Sequence, residues 1–167
     1  MRVRIVLATL SVLLLSACGF QLRGSYSLPF ETLHIALPTT SDLHAVLKRN
    51  IEASTQTRVV DDPKTAQAIL TVIQDVSQKN ILSLNSAGRV REFQLMRTFA
   101  FRIHDNKNLD AVAPGRIVIQ RDMTFSDSAV LSKEAEEVLI WKDIQTDLIQ
   151  QLLRRLAAAR PLPSETR

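Results

Sequence analysis

Phe93-Gln94-Leu95-Met96-Arg97-Thr98-Phe99-Ala100-Phe101-Arg102-Ile103 is the stretch that decides the fold. Phe93, Leu95, Phe99, Phe101 and Ile103 fall on alternate positions, and Arg97 is the one interruption. Side chains of an extended chain alternate between two faces, so this pattern predicts one long strand with one buried face. Asp105-Asn106 supplies a polar stop.

Upstream, Ala68 to Gln78 reads as strand, with Leu70, Val72 and Val76 on one side, and Ile81 to Leu84 continues the extended character. Downstream, Arg116 to Phe125 alternates again through Ile117, Ile119, Met123 and Phe125. Ala87-Gly88 and Pro114-Gly115 punctuate the intervals between these strands. Short links favour hairpin pairing, so the three strands are expected to form an antiparallel meander. Earlier in the chain, Leu33, Ile35 and Leu37 alternate in a first strand that Pro38 stops. Ser41 is placed to cap a helix over residues 42–55, with Leu43, Val46, Leu47 and Ile51 at helical spacing. Arg58 to Val60 is a short extended piece before the Asp61-Asp62-Pro63 turn. After the meander the period becomes helical from Ser132 to about Ala159. Ser132 reads as the cap, and Leu131, Ala135, Val138, Trp141, Ile144, Leu148, Leu152 and Leu156 as one apolar face. The expected order is therefore β-α-β-β-β-α: an α+β domain with a four-stranded, mostly antiparallel sheet and two helices packed on one face.

The start of the chain has a different character. Arg2 and Arg4 precede an apolar run, Ile5 to Leu15, that is too short to span a bilayer. Small residues follow, which is a signal-peptide pattern. Leu15-Ser16-Ala17-Cys18 resembles the lipobox of bacterial lipoproteins. That resemblance implies cleavage before Cys18, a diacylglyceryl thioether on its sulfur and acylation of its new amino group. Cys18 is the single cysteine, so it has no internal disulfide partner, and lipidation removes an otherwise unpaired thiol from an oxidising compartment. One acyl chain binds a membrane marginally, at about 0.8 kcal/mol per buried CH₂, whereas three hold the protein there. Gly19 rather than Asp resembles an outer-membrane address, on the periplasmic side. The expected organisation is a lipoprotein signal peptide over residues 1–17, an acylated tether over 18–30, a single α+β domain over 31–160 and a disordered tail over 161–167.

Composition narrows the function. An apolar fraction of 46% is that of a globular chain. Removing Arg2 and Arg4 with the leader lowers the formal net charge from +4 to +2. The segment from Lys79 to Arg102 holds Lys79, Arg89, Arg91, Arg97 and Arg102 against Glu92 alone, so the rest of the mature chain is acidic. A basic stretch of this kind points to an anionic contact. Nucleic acid is a poor candidate, because aromatics at 5% offer no stacking platform and the compartment is wrong. His34, His44 and His104 lack metal-ligand spacing, and Asp61-Asp62 and Glu136-Glu137 are adjacent pairs whose side chains diverge. No phosphate loop or nucleophile motif is present, so neither catalysis nor a cofactor is expected beyond the covalent lipid on Cys18.

The positive signal is Gly88-Arg89-Val90-Arg91-Glu92-Phe93 at the tip of the two longest strands. Arg89 and Arg91 are two apart, so on a strand they share a face, and two guanidiniums on one face can clamp a phosphate. The same residues can equally guard a strand end against aggregation. Spacing alone does not choose between these.

The lipobox, the Cys18-Gly19-Phe20-Gln21-Leu22-Arg23-Gly24 start and the element order together are similar to the LptE family of lipopolysaccharide-assembly lipoproteins. The likeness continues through Arg91-Glu92-Phe93-Gln94-Leu95 and reaches Lys133 at the head of the last helix. It implies a two-helix, four-stranded domain that plugs the β-barrel of an LptD partner and helps place lipopolysaccharide in the outer leaflet. It also implies lipopolysaccharide contacts from basic residues at the tip between the second and third strands and at the start of the final helix. Lys133 matches the helix position. Arg89 and Arg91 stand at the tip, with Ser86 where a charge is expected. Two other readings remain: a different outer-membrane interaction lipoprotein with an anion-binding strand tip, and a periplasmic hydrolase, for which no nucleophile and base come together in sequence.

Mass spectrometry of the protein from native membranes is expected to find Cys18 as a triacylated N-terminus. Bare, unmodified Cys18 in secreted material would refute the lipoprotein reading.

Overall fold

The computed structural model describes residues 26–159. The expected leader, Cys18, residues 18–25 of the tether and the tail over 161–167 lie outside the described residues. Seven main elements follow in order: β1 (Thr32–Ala36), α1 (Asp42–Ser54), β2 (Arg58–Val59), β3 (Ala68–Leu84), β4 (Val90–His104), β5 (Asp110–Thr124) and α2 (Val130–Ala157).

The meander forms as its hydrophobic pattern requires. β4 pairs antiparallel with β3 on one edge and β5 on the other. Leu95, Phe99, Phe101 and Ile103 are fully buried on one face, together with Leu33 and Ile35 of β1, Leu70 of β3 and Ile117 of β5. The same cluster takes in Leu47 and Ile51 of α1, and Ile144, Leu148, Leu152 and Leu156 of α2. Both helices therefore cover one face of the sheet. α1 starts as its sequence predicts: Ser41 Oγ accepts the His44 N–H at 3.1 Å, and Asp42 sits in the first turn.

The sheet has five strands, not four, in the order β2-β1-β3-β4-β5. The added strand is Arg58–Val59, the short extended piece, which pairs parallel with Thr32 and Leu33 and buries Val59. β1 is also parallel to β3. The sheet is thus mixed, with α1 in the crossover that a parallel neighbour requires.

Two further expectations are corrected in the meander. Val76 does not share a face with Leu70 and Val72. The register slips between Val72 and Gln74, so Asp75 comes to lie opposite Phe99 and Val76 opposite Thr98, exposed on the outer face. One extra residue at a bulge reverses the parity of everything after it. Pro114-Gly115 is not a turn either. It lies inside β5, beside a register irregularity, on an edge strand where proline is tolerated. Gly115 faces Phe101 and leaves room for the Arg155 guanidinium: a Cβ there lies 2.8 Å from Arg155 Nη1.

The true turn is Asp105 to Leu109, and it repeats the design of the first. In each, a side-chain oxygen of the leading Asn85 or Asp105 accepts two backbone N–H groups, from Ala87 and Arg89 or from Lys107 and Leu109. In each, the fourth residue is left-handed, Gly88 at φ 74 and Asn108 at φ 62.

α2 begins at Val130, two residues before its expected cap, out of a 3-10 turn at Asp127–Ala129. Ser132 Oγ donates to the Ala129 carbonyl at 2.8 Å instead of capping. The helix does not bury one continuous apolar face. Ile144 onward is in the core, but Leu131 and Val138 point outward. At the other end of the domain, residues 26–30 lie against the core: Tyr26 N–H donates to the Ser54 carbonyl at 2.9 Å, and Phe30 is buried.

Phe99→Ala removes a fully buried ring and is expected to lower the unfolding free energy by about 3–5 kcal/mol. Val118→Ala, on the exposed outer face, should cost less than about 1 kcal/mol. Urea denaturation of the two variants checks the assignment of the faces.

Candidate functional site

Beyond Val72 β3 adds no buried side chain, the core continues through Leu95 of β4 and Ile119 and Met123 of β5, and ion pairs join the apolar contacts between sheet and helix. Lys79 Nζ on β3 reaches Glu137 Oε2 on α2 at 2.6 Å and sits 4.3 Å from the centre of the Phe93 ring. The other oxygen of Glu137 accepts Trp141 Nε1–H at 3.3 Å. Arg121 on β5 donates to Asp143 at 2.9 Å and to Asp147 at 3.1 Å. Those two carboxylates, Asp147 first, raise the Arg121 pKa above its ordinary value. Across the β3–β4 pair, Arg97 holds Asp75 with two bonds of 2.8 Å.

The far end of the domain is where the β3–β4 turn meets the β5–α2 connection. The structure brings Arg89, Arg91 and Lys133 to this end, each joined to residues 124–127. Arg89 Nη1 lies 3.5 Å from Asp127 Oδ2, with both side chains exposed. The Arg91 carbonyl accepts the Phe125 N–H at 2.7 Å. Phe125 in turn packs edge-on against Phe93, centroids 5.3 Å apart. Lys133 Nζ donates to Thr124 Oγ1 at 2.9 Å and to Glu136 Oε2 at 2.7 Å.

The three cations are therefore unequal. Lys133 is a half-buried clamp between the end of β5 and the first turns of α2. Arg89 is loosely tied. The Arg91 side chain is exposed and carries no ion pair among the described residues. The basic excess of the Lys79–Arg102 segment mostly disappears in three dimensions. Arg97 meets Asp75, Lys79 meets Glu137 and Arg102 meets Asp110. What remains available to an outside anion is the pair flanking Val90. Reading the local charge could not identify Lys79, Arg97 and Arg121 as internal fasteners, because their acids lie 22 to 58 residues away in the chain.

Elsewhere the polar groups serve the fold. His104 bonds Thr71 Oγ1 and the Asp105 carbonyl, and His34 faces the Val60 carbonyl. Among the described residues no group of three His, Cys, Asp or Glu side chains is placed to hold a metal ion. No helix among them is long and apolar enough to cross a membrane.

The described residues thus form an α+β domain, a mixed sheet under two helices with an exposed guanidinium at one extremity and ionic fasteners behind it. The chain belongs to the LptE family of lipopolysaccharide-assembly lipoproteins, whose family model matches residues 30–156. The family is not an enzymatic one. Among relatives, the LPS-assembly lipoprotein LptE of Yersinia enterocolitica is 28% identical over 163 residues, covering 93% of this chain and 75% of its own. That of Pectobacterium atrosepticum is 26% identical over 152 residues, covering 88% and 80%. The solution structure of lipoprotein B from Nitrosomonas europaea is 37% identical, with a TM-score of 0.74 over 84% of this chain and 91% of its own. The crystal structure of rare lipoprotein B from Shewanella oneidensis, 21% identical with a TM-score of 0.65, shares the fold over 76% of this chain and 94% of its own.

The fasteners and the free cation should separate in a stability series. Arg97→Ala leaves Asp75 without its two charge-assisted bonds and is expected to cost about 1.5–3 kcal/mol. Lys133→Ala should cost up to about 1 kcal/mol. Arg91→Ala should leave the urea midpoint where it is.

Proposed function

We propose that the chain is an outer-membrane lipoprotein, anchored through acylated Cys18, that plugs and supports an LptD-type β-barrel and binds lipopolysaccharide during its assembly into the outer leaflet. The observation that carries this reading is the separation between the anchored end and the cationic tip. Tyr26 is fixed beside Ser54, at the end of the domain where β1 and β3 begin. Cys18 lies eight residues earlier, a reach of at most about 28 Å. From that end, the 17 residues of β3 run to the tip, roughly 55 Å away at a strand's rise per residue. A bilayer with its headgroups is about 40–45 Å thick. A domain held at the periplasmic surface can therefore present Arg91 near the opposite leaflet, provided a lumen shelters its polar backbone from lipid.

The outer face of the sheet fits such a lumen. Gln74, Val76, Gln78 and Asn80 lie beside Ala100, Thr98, Met96 and Gln94, a largely uncharged surface that a protein wall can cover at small desolvation cost. At the tip, Arg91 is free to take a lipid A phosphate, with Arg89 next to it and Lys133 holding the platform.

Mild detergent extraction of the acylated protein is expected to bring a large β-barrel with it. Recovery as a free monomer overturns the plug reading. Charge removal at Arg89, Arg91 and Lys133 together should weaken lipopolysaccharide binding by about tenfold or more, with Arg91 contributing most. Unchanged binding by the folded variant rejects this site.

A further inference from the structure

We propose that the far half of the β3 edge pairs with the same edge of a second copy of this chain, antiparallel and centred on Ser77, in molecules not engaged with a barrel. The inference goes beyond the lipopolysaccharide reading and does not depend on it. β1 accompanies β3 only from Ala68 to Thr71. Past that point, among the described residues, β3 is paired on one side alone, with β4, and every residue from Ile73 to Leu82 is exposed. The other side presents a row of backbone N–H and C=O groups, a template for one more strand. The second long edge, β5, is guarded: it contains Pro114, has a broken register and carries Arg116 and Arg121. β3 has no proline or glycine, and its ladder with β4 is regular from Gln74 to Ile81. Its two charges are already engaged inside the chain, Asp75 by Arg97 and Lys79 by Glu137.

The order of side chains says which strand covers this edge. Ile73-Gln74-Asp75-Val76-Ser77-Gln78-Lys79-Asn80-Ile81 is a chemical palindrome about Ser77. A two-fold axis at Ser77 sets Asp75 opposite Lys79, Gln74 opposite Asn80, Val76 opposite Gln78 and Ile73 opposite Ile81, each twice. Opposite charges then meet at both Asp75–Lys79 positions, linking the Arg97–Asp75 pair of one copy to the Lys79–Glu137 pair of the other. Ile73 and Ile81, each 59% exposed in the single chain, cover one another. Centring the pair on Val76 or Gln78 instead sets Asp75 against Ser77 or Ile81 and forfeits these matches. A closed barrel has no free strand edge to offer in place of the second copy. Past Ile81 the β3–β4 ladder is irregular at Ser83 and Leu84, so the hairpin tips need not run straight on into the other copy's β1.

The test is the oligomeric state of the full acylated chain, purified without a barrel and followed by sedimentation in detergent at tens of micromolar. The wild type is expected as a dimer. Val76→Lys/Gln78→Lys sets like charges opposite each other in the pair, at two exposed positions, and should weaken dimerisation by at least about tenfold with the urea midpoint unchanged. A wild type that stays monomeric, or a folded variant that dimerises as well as the wild type, overturns the proposal. The register has its own check. With the Cys18 sulfur in its thioether, Ser77→Cys supplies a single free thiol, and residues directly opposite in an antiparallel pair are close enough for a disulfide. Ser77→Cys should link two chains on mild oxidation, and Val118→Cys on β5 should not. Val76→Cys mixed with Gln78→Cys should link faster than either alone. Ser77→Cys linking no faster than Val118→Cys overturns the pairing about Ser77.

Discussion

The strands of this domain are longer than the core they share, and the rest of the structure follows from that mismatch. β3 is 17 residues long, yet among its residues only Ala68 and Leu70 are buried. Beyond them β3 adds nothing to the core, and apolar packing comes from its neighbours alone, through Phe99 and Leu95 of β4 and Ile117, Ile119 and Met123 of β5. The molecule solves this with charge. Lys79, Arg97 and Arg121 turn toward acids supplied by β3 and α2, and Lys133 stitches α2 back to the end of β5. Each bond is modest by itself, but together they keep 28 residues of helix aligned with the sheet.

The two ends of the domain consequently have different chemistry. The end near the tether is an ordinary core, where α1, β1 and the second half of α2 meet Phe99 and Phe101. The far end is a polar truss. Some of its inward positions are used by ions, Leu131, Val138 and Leu139 of α2 lie outside, and Arg91 at the tip has no ion pair among the described residues. The cationic tip and the main core thus lie toward opposite ends of the same strands. Substitution at the tip need not disturb the half that holds the fold.

Local signals in the chain foretold the parts of the fold that depend on local signals. The alternation from Phe93 to Ile103 gave β4 and its buried face, and Ser41 with Asp42 gave the start of α1. The misreadings have a common cause in contacts that the local pattern does not contain. The slip after Val72 is set by pairing with β4, and it moved Val76 to the other face. β2 is two residues long and exists only because Thr32 and Leu33 present an edge to it. Pro114-Gly115 carried a turn signature, but Asp105 and Asn108 supplied a better turn upstream. Leu131 and Val138 have helical spacing with the core residues of α2, yet between them Glu137 meets Lys79 of β3 and Lys133 meets Thr124 of β5, which turns the opposite face outward. At the site, spacing placed Arg89 and Arg91 together at the strand tip, and the family resemblance added Lys133. It could not tell that Lys133 is engaged and Arg91 is not, because Thr124 and Glu136 decide that.

The matched turns at Asn85 and Asp105 bear on how the chain acquires its shape. Each closes a short loop with its own side chain, so the two hairpins need little loop-closure entropy and few distant contacts. The parallel pairing of β1 with β3 spans about 35 residues and must wait for α1 to form between them. The meander is therefore the natural nucleus, zipping from its turns inward, and the N-terminal strand joins last. That order suits the proposed lipid anchor at the amino end: the segment nearest the attachment point is the one whose folding can be postponed.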